Sequence, residues 1–262
     1  MKKTYKFVFF GSDKIADEAL TCLADVDLVP DYIVHGKIDD EVKARIKDSR
    51  YEFAILASYG RIVKEDVIAL FPKGILNIHP SLLPLLRGPS PIKSAILENM
   101  RTTGTSIMLL VKEMDAGPIL IQEEIDLSPQ VAYEQELRIA LFKKGAELIT
   151  RILPDYLSGK LKPTEQDHRQ ATYTKKFTSE DTYLPYSTWR QGLQVSEELE
   201  RKVRALYDEP GTYSIIPTQR GEKRIKILKA HIENSVFVPD LVQPEGKNPM
   251  SWSAFLLGNP LK

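Results

Sequence analysis

Apolar positions in the first half of the chain switch between two periods. Tyr5 to Phe10 is a β-branched and aromatic run ending at Gly11, which predicts a buried strand followed by a turn. After Ser12, a possible helix cap, Ile15, Ala19, Leu20 and Leu23 recur at helical spacing. Leu28 to Val34 reads as a second strand and Asp39 to Lys47 as a polar helix. Phe53 to Tyr59 is a third strand, Val63 to Phe71 a short helix, and Gly74 to His79 a fourth strand. Strands alternating with single helices predict an α/β fold built on a mostly parallel sheet.

Beyond His79 the alternation loosens. Pro80 to Pro91 holds four prolines and one glycine, which predicts a loop of fixed shape. A helix from Pro91 to Asn99 follows, then strands Thr105–Val111 and Ile119–Ile125 around Met114-Asp115-Ala116-Gly117-Pro118. The longest helix is expected over Tyr133–Leu157. Periodicity fails from Ser158 to Lys176, which reads as a linker at the end of a first domain, 1–175. The remainder, 176–262, is read as a small second domain. It has a helix near Val195–Leu206, β-like runs Thr212–Ile216 and Arg224–His231, and a tail with little regular pattern.

Composition narrows the function classes. Of 262 residues 42% are hydrophobic, and 36 Lys plus Arg balance 36 Asp plus Glu. Zero formal charge excludes a polyanion binder that relies on a whole-protein basic field, although a local patch remains allowed. No apolar run approaches the roughly 18 residues of a membrane helix. The apolar run after Met1-Lys2-Lys3 is too short for a signal peptide. A single cysteine, Cys22, excludes an internal disulfide and makes a structural zinc site a poor expectation. The expected setting is the cytoplasm, with no membrane or DNA partner.

Common nucleotide and metal motifs are missing from the sequence. Gly11-Ser12 could offer backbone N–H groups to an anion, or be a plain turn. Asn77 and His79 stand two apart at the end of a predicted strand, so both side chains point to one face. In open α/β sheets ligands sit beyond strand carboxyl ends. An amide and an imidazole would then share the expected cleft, or merely satisfy backbone groups of the Pro-rich loop. Asp115 could orient His79 and favour its imidazolium form, or serve as a turn residue.

The string Asn77-Ile78-His79-Pro80-Ser81-Leu82-Leu83-Pro84, followed by Arg87-Gly88 and Pro91-Ile92, closely resembles the signature of folate-dependent formyltransferases. Asp115 falls 38 positions after Asn77, matching the family's Asn-x-His…Asp spacing. Arg87-Gly88-Pro89-Ser90-Pro91-Ile92, Ala171 to Lys176, and Gln243 to Met250 resemble segments of the branch that acts on methionyl-tRNA. The resemblance implies a Rossmann-like formyltransferase domain followed by a small, reduced β-barrel-like C-terminal domain. It implies catalysis by Asn77, His79 and Asp115, no metal, and 10-formyltetrahydrofolate as co-substrate. Ser81, Leu82, Leu83, Pro84, Tyr59 and Gly60 would line the pterin pocket through main-chain and apolar contacts.

The implied partner is initiator methionyl-tRNA, met by a monomer. Arg87, Arg220, Lys223 and Arg224 are the expected tRNA contacts, because Arg201 to His231 carries eight basic residues against Asp208, Glu209 and Glu222. The chain departs from that branch in two places. Only the near-neutral Gly36–Ser49 stands where the tRNA enzymes carry a basic insertion, and hairpins are missing between Ile232 and Asp240. Sugar-nucleotide N-formyltransferases, which share the catalytic domain and often have a reduced C-terminal region, are the rival within the class. A binding module that kept the fold without the chemistry is the rival outside it.

Overall fold

The computed structural model describes residues 5–127, 132–207 and 209–262. Its chain divides into two compact units, Met1–Pro91 with Arg101–Ser128 and Leu137–Lys175, and Ile92–Met100 with Pro129–Glu136 and Lys176–Lys262. The expected residue Asp208 and the start Met1-Lys2-Lys3 lie outside the described residues. Among the described residues no helix is long and apolar enough to cross a membrane.

The first unit holds β1 (Phe7–Phe10), α1 (Lys14–Ala24), β2 (Tyr32–Val34), α2 (Asp40–Ser49), β3 (Phe53–Leu56), α3 (Glu65–Ile68) and β4 (Ile75–His79). It also holds β5 (Thr102–Leu109), β6 (Ile119–Asp126) and, from Leu137 onward, the long helix α5 (Glu134–Leu157); the short helix α4 (Pro91–Leu97) falls, after Pro91, in the second unit. The strand order is β2-β1-β3-β4-β5-β6. Strands β1 to β4 pair in parallel, while β5 runs against both of its neighbours. Helix α1 is capped by Asp13, not Ser12: the Asp13 carboxylate accepts the Ala16 N–H at 2.9 Å. A carboxylate does this better than a hydroxyl, because it also meets the positive end of the helix dipole.

The pleat explains why the inner strands read as unbroken apolar runs. Phe7, Phe9, Phe53, Ile55, Leu76 and Ile78 face α1 and α5 in one core layer. Val8, Phe10, Ala54, Leu56 and Ile75 face α2 and α3 in the other. Both faces are covered, so both side-chain rows must be apolar. On β4 the second row reads Ile75, Asn77, His79. It turns polar only toward the carboxyl end of the strand.

The second unit carries α6 (Leu193–Ala205), β7 (Thr212–Thr218), β8 (Gly221–Glu233), β9 (Val236–Pro244), β10 (Met250–Ser251) and α7 (Trp252–Gly258). Its antiparallel sheet has the order β10-β9-β8-β7. Isolated bridges from Tyr183 to Tyr213 and from Leu261 to Thr218 meet the β7 edge. The core comprises Leu184, Trp189, Leu199, Val203, Ile225, Ile227, Phe237, Val242 and Phe255.

One expectation fails in this unit. The tail is regular: β9, β10 and α7 occupy it. Between Ile232 and Asp240, where the branch's middle hairpins are expected to be missing, β8 passes to β9 through a two-residue turn, with Glu233 paired to Val236 around Asn234 and Ser235. Both turn residues have positive φ, 50° and 64°. That is the geometry of a tight two-residue hairpin turn, and Asn tolerates it without glycine.

Candidate active site

Asn77 and His79 project from one face of β4, as their spacing predicts. Both are buried, at 6% and 4% exposure. His79 Nε2 lies 3.1 Å from the Leu86 carbonyl. A carbonyl only accepts, so that nitrogen carries a proton. His79 Nδ1 faces Asp115 Oδ1 at 3.7 Å. This gap exceeds a hydrogen bond, so Nδ1 is the ring nitrogen not committed to the protein. The Asn77 amide has no hydrogen bond to a described side chain and keeps its donors available.

Asp115 reaches His79 by a route that the strand order does not suggest. Strand β5 is antiparallel to β4, so it ends at Leu109 opposite Leu76, at the far end of β4 from His79. The connection to β6 therefore folds back along the sheet face. It begins with the Leu110 N–H bonded to the Ile75 carbonyl at 2.8 Å. Asp115 sits at its turn with φ 50°, a left-handed conformation that Asp tolerates better than most residues. Its Oδ2 accepts the Gly88 N–H at 2.7 Å, which leaves Oδ1 for the imidazole side. At Gly117 a Cβ would stand 1.8 Å from the Leu109 carbonyl oxygen, so this turn requires glycine.

The Pro-rich loop is internally braced. Ser81 Oγ donates to the Leu85 carbonyl at 2.6 Å, and Ser106 Oγ donates to the Ser81 carbonyl at 2.5 Å. Ser106 Oγ accepts the Leu83 N–H at 3.1 Å, and Gln122 Nε2 donates to the Leu83 carbonyl at 2.8 Å. Main-chain groups of Ser81 and Leu83 are spent on holding the loop, and both residues are buried, while Leu82 and Pro84 are half-buried. Tyr59 is likewise buried, and its hydroxyl donates to the Gly36 carbonyl at 2.6 Å. Burial pushes that phenol's pKa up. Gly60 beside it is exposed, with φ +65°.

The segment read as a linker is tied to this site. Thr164 exchanges two backbone hydrogen bonds with Ile119, at 2.7 and 2.8 Å. Arg87 forms an isolated bridge with Tyr173, donating its N–H to the Thr172 carbonyl at 2.9 Å and accepting the Thr174 N–H at 2.7 Å. The Arg87 side chain, expected to meet tRNA, is only 2% exposed. It donates from Nε and Nη2 to Gln166 Oε1 at 3.2 and 2.6 Å, from Nη2 to His168 Nδ1 at 3.0 Å, and from Nη1 to the Tyr173 hydroxyl at 3.3 Å. Such a guanidinium is a brace, not a free phosphate contact. Sequence reasoning missed Gln166 because it lies in an aperiodic polar stretch. A buried amide leaves no trace in hydropathy there.

The other expected tRNA residues divide. Arg224 lies exposed on β8, opposite Ile215, with its guanidinium 4.2 Å from the Tyr213 ring centroid. Lys226, two residues on, shares its face. Lys223 falls in the row of Ile225 and Ile227, which points into the core, and is half-buried at the strand end. Arg220 is exposed in the β7–β8 turn. No group of three His, Cys, Asp or Glu side chains suited to a metal occurs among the described residues.

In the first, α/β unit an amide and an imidazole thus share one face of β4, with a carboxylate opposite the imidazole. Residues 21–153 match the formyl transferase family. The methionyl-tRNA formyltransferase of Chloroflexus aurantiacus is 38% identical over 232 residues, covering 79% of this chain and 71% of that one. The chain belongs to the formyl transferase family, within its methionyl-tRNA formyltransferase branch.

Solved structures show the same fold. HypX from Aquifex aeolicus superposes with a TM-score of 0.77 at 16% identity, over 97% of this chain and 49% of that chain. This chain thus spans about half of HypX. Methionyl-tRNA formyltransferase from Clostridium thermocellum gives 0.65 at 16% identity, over 92% of this chain and 98% of that one.

Proposed function

We propose that this protein transfers the formyl group of 10-formyltetrahydrofolate to the α-amino group of methionyl initiator tRNA, acting as a cytoplasmic monomer. The observation that carries the chemistry is the convergence of Asn77, His79 and Asp115, with Nδ1 of His79 facing Oδ1 of Asp115 at 3.7 Å.

The amine attacks the formyl carbon and the carbonyl π pair moves onto oxygen. The Asn77 amide and the Nδ1–H of protonated His79 donate to that oxyanion, in a buried setting where such bonds count for more than in water. Asp115 accepts the proton that the amine loses, directly or through one water. Collapse of the intermediate re-forms the carbonyl and breaks the bond to N10 of the folate, which takes up a proton. No covalent enzyme intermediate is needed. Ser81, Leu83 and Tyr59 act by shape, keeping the donor-site walls fixed, while Leu82, Pro84 and Gly60 present the surface.

The test is formyl transfer from 10-formyltetrahydrofolate to methionyl initiator tRNA, with a 4-amino-sugar nucleotide run in parallel. Transfer to the tRNA is expected. Transfer only to the sugar would overturn the acceptor and keep the catalytic assignment. Folate binding without turnover on either acceptor would mark a binding module.

A further inference from the structure

Gln166 is 6% exposed within a stretch, Lys162 to Thr174, whose other side chains are exposed or half-buried. All four hydrogen-bonding positions of its amide are used. Nε2 donates to the carbonyls of Asp115 and Gly117, at 2.9 and 2.6 Å. Oε1 accepts from Nε and Nη2 of Arg87. One side chain therefore joins the loop that carries Asp115 to the loop that follows His79.

The partners bias this amide strongly. The Arg87 guanidinium is buried, and none of its partners named above is a carboxylate. A cation bonded twice to Oε1 polarises the amide and strengthens its N–H groups as donors. Those N–H groups grip the carbonyl of Asp115 itself and that of Gly117, two residues on. The Thr164–Ile119 and Arg87–Tyr173 bridges pin the segment on either side, so Gln166 is held in place before it bonds. Asp115 needs such a hold: its φ is 50°, and its loop folds back along the sheet without a ladder of its own.

We infer that Gln166, polarised by Arg87, is a positioning residue for the transfer: it sets where the Asp115 carboxylate stands relative to His79. The inference rests on the proposed roles of His79 and Asp115. Gln166 touches neither reacting atom. A displacement of about 1 Å at a catalytic carboxylate is enough to cost about a hundredfold in rate.

Two substitutions separate its roles. Gln166→Met keeps the length and removes every hydrogen bond. Gln166→Glu gives Arg87 a carboxylate partner but sets an oxygen against the two loop carbonyls, which repel it. The expected result is a fall in kcat of about tenfold to a hundredfold in both. KM for folate and for tRNA should stay within about twofold, and the pH profile of kcat should shift. Gln166→Glu should melt close to the parent temperature. A kcat within about twofold of the parent in either folded variant would overturn the inference, as would a loss that follows thermal stability with no change in pH profile.

A second readout needs no turnover. The 15N resonances of the His79 ring should move between the parent and Gln166→Met, and unchanged resonances would count against the inference. Asp115→Asn in the same assay keeps the two readings apart. If it stays active, the proposed chemistry fails. If it is inactive while Gln166→Met keeps full kcat, only the role of Gln166 fails.

Discussion

Gly88 donates its N–H to Asp115 Oδ2 at 2.7 Å from a position that excludes a side chain. Its φ is +110°, and a Cβ there would lie 2.9 Å from Thr174 Oγ1 and 3.0 Å from the Thr174 carbonyl oxygen. The carboxylate thus depends on a backbone shape that only glycine adopts without strain. Gly88→Ala should destabilise the protein by about 1–3 kcal/mol. It should also lower kcat more than the stability loss explains, because the Asp115 anchor moves. Denaturant unfolding alongside steady-state kinetics checks this; a variant with parent kcat would refute the anchoring.

His79→Ala should abolish nearly all turnover while the fold persists, because the side chain bonds only one backbone carbonyl and faces one carboxylate. Asp115→Asn should do the same by removing the proton acceptor, with the Gly88 bond retained by the amide oxygen. Asn77→Ala, which removes an oxyanion donor, should cost about a hundredfold to a thousandfold in kcat. Single-turnover rates on protein verified by circular dichroism are the measurement. Near-parent rates in both His79→Ala and Asp115→Asn would end the assignment.

The faces of β8 make a directional prediction about tRNA. Arg224→Ala and Lys226→Ala should each weaken binding several-fold and reduce the salt slope of log K by about 1. Lys223→Ala, on the inward row, should change neither. Equal effects from all three residues would mean that the tRNA does not meet this face of the sheet.

Asp167, next to Gln166, has its carboxyl held down at about 2 from an ordinary 3.8, chiefly by its hydrogen bonds to the Arg169 guanidinium. A depressed folded value means that the paired state is favoured above the unfolded pKa and lost as pH falls through the folded one. The turn at His168–Gln170 should therefore loosen between about 4 and about 2, and not above. Titration of the carboxyl by 13C NMR should show the low value in the parent and a rise toward the ordinary range in Arg169→Ala. An unchanged midpoint would refute the pairing.

Much of the first unit could be read from its residues. The runs Phe7–Phe10 and Phe53–Leu56 are apolar on both faces, as strands covered on both sides must be, and Ile75–His79 departs from this only at Asn77 and His79. The pairing of Asn77 with His79 follows from the period of a strand. The second unit was less legible. The strand β9 includes Pro239, Asp240 and Pro244, which break the usual strand pattern, and its register shifts against β8. Its place comes from pairing across a turn, which periodicity does not encode.

The sequence alone determined the fold class and the family, because strand period and motif spacing are local properties of the chain. The tertiary structure decided how Asp115 comes back to His79, since that depends on β5 running against β4. It also decided that Arg87 is an internal brace and that Gln166 joins the two site loops. Both facts rest on contacts between residues some fifty to eighty positions apart. Burial of a polar side chain depends on what folds over it from elsewhere, and no local pattern of residues carries that information.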